Sequence, residues 1–151
     1  MANTKLRKAP NLENVNLCGA NLENADLRNA NLNGANLSGV KMAATNMSNA
    51  ILSHASLVNA NLYGSSLTDA NLVDSFLTDA KLYKANLVNA NLYYADLSNA
   101  NLSGAYLPNT NLKNANLKDV DLSDLDLRGI PKERIKEFID NYRASKETIS
   151  S

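Results

Sequence analysis

Tryptophan is absent from this chain, histidine and cysteine occur once each as His54 and Cys18, and aromatic residues make up 5% of its 151 positions. A lone cysteine cannot close an internal disulfide, which fits a reducing compartment. One histidine and one cysteine cannot furnish the usual ligand set of a zinc site, so no metal is expected. Net charge is missing too: fifteen Lys and Arg balance fifteen Asp and Glu. No strong overall field therefore draws the protein to nucleic acid or to an anionic membrane. No stretch approaches the roughly 20 apolar residues of a membrane span, and the opening MANTKLRKAP lacks the apolar region of a secretory signal. The six glycines stand apart from one another, so no phosphate-binding loop is formed and no nucleotide or other cofactor is expected. What remains is a cytoplasmic, soluble chain whose 44% hydrophobic content supports one packed domain.

What the chain has in excess is Leu, Ala and Asn, in a period of five. Leu occupies every fifth position from Leu12 to Leu127 except Met42 and Met47, giving 24 consecutive repeat centres. A helix spaces apolar residues 3, 4 and 7 apart and a strand spaces them 2 apart, so a period of five requires short extended pieces joined by regular turns. Two residues before the centre lies a small residue, Ala in 15 of the 24 repeats. In extended chain the two share a face and form the interior, while the residue between them, usually Asn or Asp, points outward. Two residues after the centre, 20 of 24 repeats carry Gly, Asn or Asp, the residues that best tolerate positive φ. Pro108 followed by Asn109 suits the two middle positions of a type II turn.

Runs such as ANLENADLRNANLNGANLSG resemble the pentapeptide-repeat family, whose motif is A(D/N)Lxx, and the match covers residues 10–129. The resemblance implies an all-β fold, a right-handed quadrilateral parallel β-helix with four repeats to a coil and about six coils. At the spacing of adjacent strands, about 4.8 Å, the rod would be roughly 29 Å long. Leu12, Leu32, Leu52, Leu72, Leu92 and Leu112 would then stack in one of four columns. The least regular stretch, with Val40 and Thr45 beside Met42 and Met47, reads as a packing adjustment by flexible thioethers.

Three segments follow: an N-terminal arm at 1–9, the β-helix at 10–129, and a C-terminal helix and tail at 130–151. A solenoid must cover its last coil. Pro131 suits a first helical position, and Ile135, Phe138, Ile139 and Tyr142 recur at helical spacing, so this helix is expected to cap the rod against Val120 and Leu125. The arm offers only Leu6 as a plug, which leaves the first coil open to an end-to-end homodimer.

No active site is expected. His54 lies at a corner with Asp74 one coil above and Ser53 beside it, but a convex rod provides no pocket or oxyanion donors, so the reading is a hydrogen-bonded surface pair. Asp69, Asp74 and Asp79 fall on three different edges and do not converge on an ion. The candidate partner-binding residues are outward departures from Asn and Asp: Ile51, Phe76 and Tyr106, the pair Tyr63 and Tyr83 stacked near Lys41, Lys81 and Lys84, and Tyr93 with Tyr94. The function expected is a non-catalytic protein-interaction scaffold whose partner is another protein. The alternative, implied by resemblance to gyrase-protecting members, is a DNA-mimic modulator of DNA gyrase or topoisomerase. Against it, the repeat block holds eleven acidic and seven basic residues, a weak field for imitating DNA.

Overall fold

The computed structural model describes residues 9–128 and 130–147. Its backbone is a right-handed quadrilateral parallel β-helix followed by one helix, α1 (Lys132–Glu147). Every β-bridge is parallel and joins a residue to the one twenty positions later, from Asn11 with Asn31 to Tyr106 with Asp126. Four repeats therefore complete a coil, and each coil rests on the one before it. The columns headed by Leu12, Leu17, Leu22 and Leu27 define the first, second, third and fourth walls.

The repeat is best understood by following its five amide N–H groups, each of which needs an acceptor. Around Leu72, the Asn71 N–H donates down to the Ala50 carbonyl (2.9 Å), and the Leu72 and Asp74 N–H groups donate up to Asn91 (2.7 Å) and Tyr93 (3.0 Å). The Ser75 N–H closes a turn on the Leu72 carbonyl (3.2 Å). The fifth amide, Val73, finds the side-chain oxygen of Asn71 at 3.2 Å. Each of the 17 repeats with Asn or Asp before its centre makes this last bond. The outward Asn is thus a structural residue: it caps an amide that the ladder leaves over. Some amides serve neighbours as well, as where Asn111 donates to Asn91 (2.9 Å) and Asn109 to Asn89 (3.1 Å) in the coil below.

Every described corner takes a φ between 52° and 68° at the residue two after the centre. A turn closed by an i to i+3 bond with positive φ at its third residue is type II. Asn, Asp and Gly fill most of these positions, yet Ala44, His54, Lys84 and Tyr94 adopt the same conformation. Ladder bonds on both sides impose it on them at a cost of roughly 1–2 kcal/mol each. The Gly129 corner lies outside the described residues, as does Leu6.

Inside, the Leu, Met and Ala columns are sealed from solvent through the central coils. Val40, Met42, Thr45 and Met47 are fully buried, and the bridges through Lys41 and Asn46 continue unbroken above and below them. The substitutions are accommodated by packing alone. Thr45 and Thr110 each turn a hydroxyl to a carbonyl of the coil below, Leu22 (2.8 Å) and Leu87 (2.7 Å), and Ser75 bonds the Leu72 carbonyl (2.7 Å). Ser65 Oγ is buried without a partner among the described residues. Ser65→Ala should therefore raise stability by about 1 kcal/mol, read as a higher denaturant midpoint at unchanged slope.

The two ends differ. In the first coil Leu12, Val15, Leu17, Ala20, Leu22 and Ala25 are only partly buried. At the other end α1 lies across the last coil, with Ile130, Phe138 and Tyr142 packed on the core beside Leu122 and Leu125. The Ile135 N–H donates to the Pro131 carbonyl (3.0 Å), so Pro131 is the residue before the first helical position, one place earlier than expected. Ile139 is 39% exposed and does not join the cap. The helix meets the coil along the stripe of Ile135, Phe138 and Tyr142, spaced by three and four, which leaves Ile139 on its shoulder. A cavity of about 40 Å³ remains between α1 and the coil, lined by Leu107, Leu112, Leu125, Ile130, Ile135 and Phe138.

Two ion pairs among the described residues mark the outer surface. Arg28 donates to Asp26 through Nε (2.8 Å) and Nη2 (2.6 Å), and Arg128 grips Asp126 in the same way. Hydrogen bonds from each arginine side chain hold both carboxyls down at about 2. A depressed folded value means that their contribution is present above the unfolded value near 3.8 and is lost as pH falls towards about 2. The Asp26 pair is more than half exposed, so its effect on stability is small. Arg28→Gln should return the Asp26 titration towards 3.8, observable as a shift of its carboxyl resonance; an unmoved titration would mean the pair does not persist in solution.

Candidate functional site

The twenty-residue register decides which outward departures lie together. Ile51 bridges Asn31 and Asn71 on the first wall, Phe76 bridges Ser56 and Asp96 on the second, and Tyr106 bridges Asn86 and Asp126 on the fourth. These three residues do not form one surface, because each belongs to a different wall. Ile51 and Phe76 are well exposed, Phe76 at 52%, whereas Tyr106 is half-buried.

Tyr93 and Tyr94, side by side at the first-wall corner, meet edge to face with centroids 4.3 Å apart. A side-chain hydrogen bond with Tyr94 pushes the Tyr93 hydroxyl above its ordinary pKa. Below them on the same corner His54 and Asp74 share no hydrogen bond among the described residues, so the expected surface pair is not formed. Both take the positive φ of their corner, as do Asn89 and Asn109, which do bond along their own corner.

The third wall is different, for there the departures do converge. Tyr63 and Tyr83, one coil apart in the column after the centre, stack with centroids 5.5 Å apart and planes 29° apart. Lys41 and Lys81 bridge Asn61 from below and above. Lys84 places Nζ 4.9 Å from the centre of the Tyr83 ring. A side-chain hydrogen bond to Tyr83 raises the Lys84 pKa, so this group stays cationic at neutral pH. A shallow groove of about 550 Å³ runs along the wall, bordered by Asn61, Tyr63, Asp79, Lys81, Tyr83 and Asn101.

Sequence reasoning missed what the seven exceptions share. Lys41, Ile51, Ser56, Ser66, Phe76, Lys81 and Tyr106 stand where the other 17 repeats have Asn or Asp, and none accepts the leftover amide. In the Tyr106 repeat that amide does not exist, because Pro108 occupies its place. The signal was available in the sequence: the only repeat with proline after its centre is one without Asn or Asp before it.

Cys18 is exposed and free. Among the described residues no group of three or more His, Cys, Asp or Glu could hold a metal ion, and no helix is long and apolar enough to cross a membrane.

A sequence model described as pentapeptide repeats matches residues 11–49, 30–69, 60–93 and 95–130, in eight copies. Among solved structures the chain is similar to HetL, a pentapeptide repeat protein involved in heterocyst differentiation regulation from the cyanobacterium Nostoc sp. strain PCC 7120. The two are 30% identical with a TM-score of 0.55, over 76% of this chain and 60% of HetL. The chain thus spans about three fifths of that protein's length. It is also similar to Rfr23 from the cyanobacterium Cyanothece 51142, at 31% identity and a TM-score of 0.44, over 78% of this chain and 89% of that one. No curated protein matches.

Proposed function

Because this chain belongs to the pentapeptide-repeat family, we propose that it is a non-catalytic scaffold: a rod that displays side chains to another protein. One observation carries the reading. The ladder is unbroken at Ile51, Phe76, Lys81 and Tyr106, so the fold does not call for those side chains, and three of them forgo a hydrogen bond that Asn would supply. Departures from the local rule that bring no structural gain are the expected mark of function.

The reading predicts a trade between stability and binding. Ile51→Asn supplies an acceptor for the Ser53 amide and should stabilise the rod by about 1 kcal/mol. Tyr106→Asn should bring no such gain, because Pro108 has no N–H to satisfy. Thermal melts of the two variants, set beside retention of partner proteins from native lysate, test both halves. Variants on every wall that bind as the parent does would remove the scaffold reading.

We place the rod in the cytoplasm, where an exposed, unpaired Cys18 is compatible with reducing conditions. Self-association through the first coil is a second partner reading, favoured by the partial exposure of Leu12, Leu17 and Leu22; a monomer in sedimentation velocity at all concentrations would discard it. Modulation of gyrase by DNA mimicry has less support, because Lys41, Lys81 and Lys84, in no ion pair among the described residues, interrupt any negative field along the third wall. A supercoiling assay with no effect at high protein excess would remove it.

A further inference from the structure

Of the seven basic residues in the repeat block, Arg28 and Arg128 are neutralised by Asp26 and Asp126. Lys113 and Lys118 lie on the first and second walls of the last coil. The other three, Lys41, Lys81 and Lys84, are exposed, share the third wall, and are in no ion pair among the described residues. Between them lie the two stacked tyrosines, with Tyr63 47% exposed. The basic stretch has ends: the same wall carries Glu23 in the first coil and Asp121 and Asp124 in the last, while Asp79 borders one side of the groove.

These limits set the size of a ligand. Lys41 and Lys81 are two coils apart, about 10 Å at the spacing of adjacent strands. A polypeptide in the polyproline II form rises about 3.1 Å per residue with three residues to a turn, so it covers that distance in about three residues and brings side chains three apart to the same face. A longer polyanion would run onto Glu23 at one end and Asp121 and Asp124 at the other, where like charges repel it.

Resting on the scaffold reading, we propose that the third wall binds a short acidic segment of a partner protein in the polyproline II form, with two carboxylates about three residues apart on one face. One carboxylate pairs with Lys41 and the other with Lys81 and Lys84. One of the two side chains between them lies over Tyr63, and Asn61 and Asn101 border the groove with groups able to hydrogen-bond its backbone. Lys84 already rests against Tyr83, so little side-chain freedom is lost when it takes a carboxylate, which favours binding.

The probe is the blocked peptide Gly-Glu-Tyr-Ser-Glu-Gly, followed through the backbone amide resonances of the labelled, full-length protein. The expected result is saturable shifts at Lys41, Tyr63, Lys81 and Tyr83, weakening as salt is added. Lys81→Gln with Lys84→Gln, both exposed and remote from the core, should lower affinity about tenfold, while Phe76→Ser on the second wall leaves it unchanged. No shifts, shifts on another wall, or equal binding of the peptide with Gln in place of Glu would overturn the proposal. Tighter, saturating binding of oligothymidylate on the same wall would also overturn it, in favour of a nucleic-acid face. A photo-crosslinker placed in turn at Ile51, Phe76, Tyr83 and Tyr106, one on each wall, separates the two levels of inference. Crosslinks to a protein from the second wall alone defeat the acidic-segment proposal and leave the scaffold standing; none from any wall defeats both.

Discussion

Leu72→Asp should abolish the fold at neutral pH. Leu72 is fully buried in the fourth coil, with Leu52 below it and Leu92 above it in the same column. The substitution removes about 1.5–3 kcal/mol of apolar burial and asks a carboxylate to ionise where nothing can solvate it. The sum exceeds about 5 kcal/mol, comparable to the whole stability of a domain this size. A solenoid has no second core to fall back on, since each coil contacts only its neighbours. Circular dichroism at neutral pH would show the β-signal lost. Leu72→Met is the control and should cost less than about 1.5 kcal/mol, because Met42 and Met47 already fill equivalent positions. A Leu72→Asp protein that melts like the parent would contradict the dry interior described above.

The second large effect concerns the cap. Replacing both Ile135 and Phe138 with Ala should cost about 3 kcal/mol, less than two fully buried side chains would, because each is half-buried. The loss should be local. With α1 released, the top of the last coil is an open edge over an uncovered core, and the rod opens from that end. Hydrogen exchange should therefore accelerate first at the amides of Asn111, Asn116 and Asp121, while those of Leu52 and Leu72 keep their protection. Uniform acceleration along the rod would show instead that the coils melt as one unit and that the helix is more than a lid.

The fold was legible because its signal is repeated. A strict spacing from Leu12 to Leu127 leaves no alternative period, and positive φ at the corner could be read from Gly34 or Asn89 before any coordinates. What could not be read was conformation imposed on residues that do not favour it. Ala44, Lys84 and Tyr94 take the same φ as their neighbours because the ladder, not the side chain, decides. The role of outward Asn was hidden for a different reason. Alternation says that Asn71 points away from the core, but only a full account of the amides shows that its oxygen returns to Val73.

The surface was legible in part. Tyr63 and Tyr83 could be stacked on paper, since twenty residues separate them, and Lys41, Lys81 and Lys84 fall beside them by the same arithmetic. Ile51, Phe76 and Tyr106 attract notice by type, and their offsets from one another are not multiples of twenty, so they diverge. The misplacement of Ile139 has a similar origin: helical periodicity offers four apolar residues, and only three of them, Ile135, Phe138 and Tyr142, are half-buried while Ile139 is exposed.

The closure of each coil after twenty residues also means that distance along the chain is an angle around the rod. Duplicating one pentapeptide between Asp69 and Ala70 would repeat a unit that already fits every corner and every column. Yet it would carry everything after it a quarter turn, taking Lys81, Tyr83 and Lys84 away from Lys41 and Tyr63. Duplicating four would lengthen the rod and keep their direction. Relatives that differ by multiples of five residues can therefore share nearly all of their sequence and still present different surfaces, whereas those that differ by multiples of twenty preserve the facing of each wall.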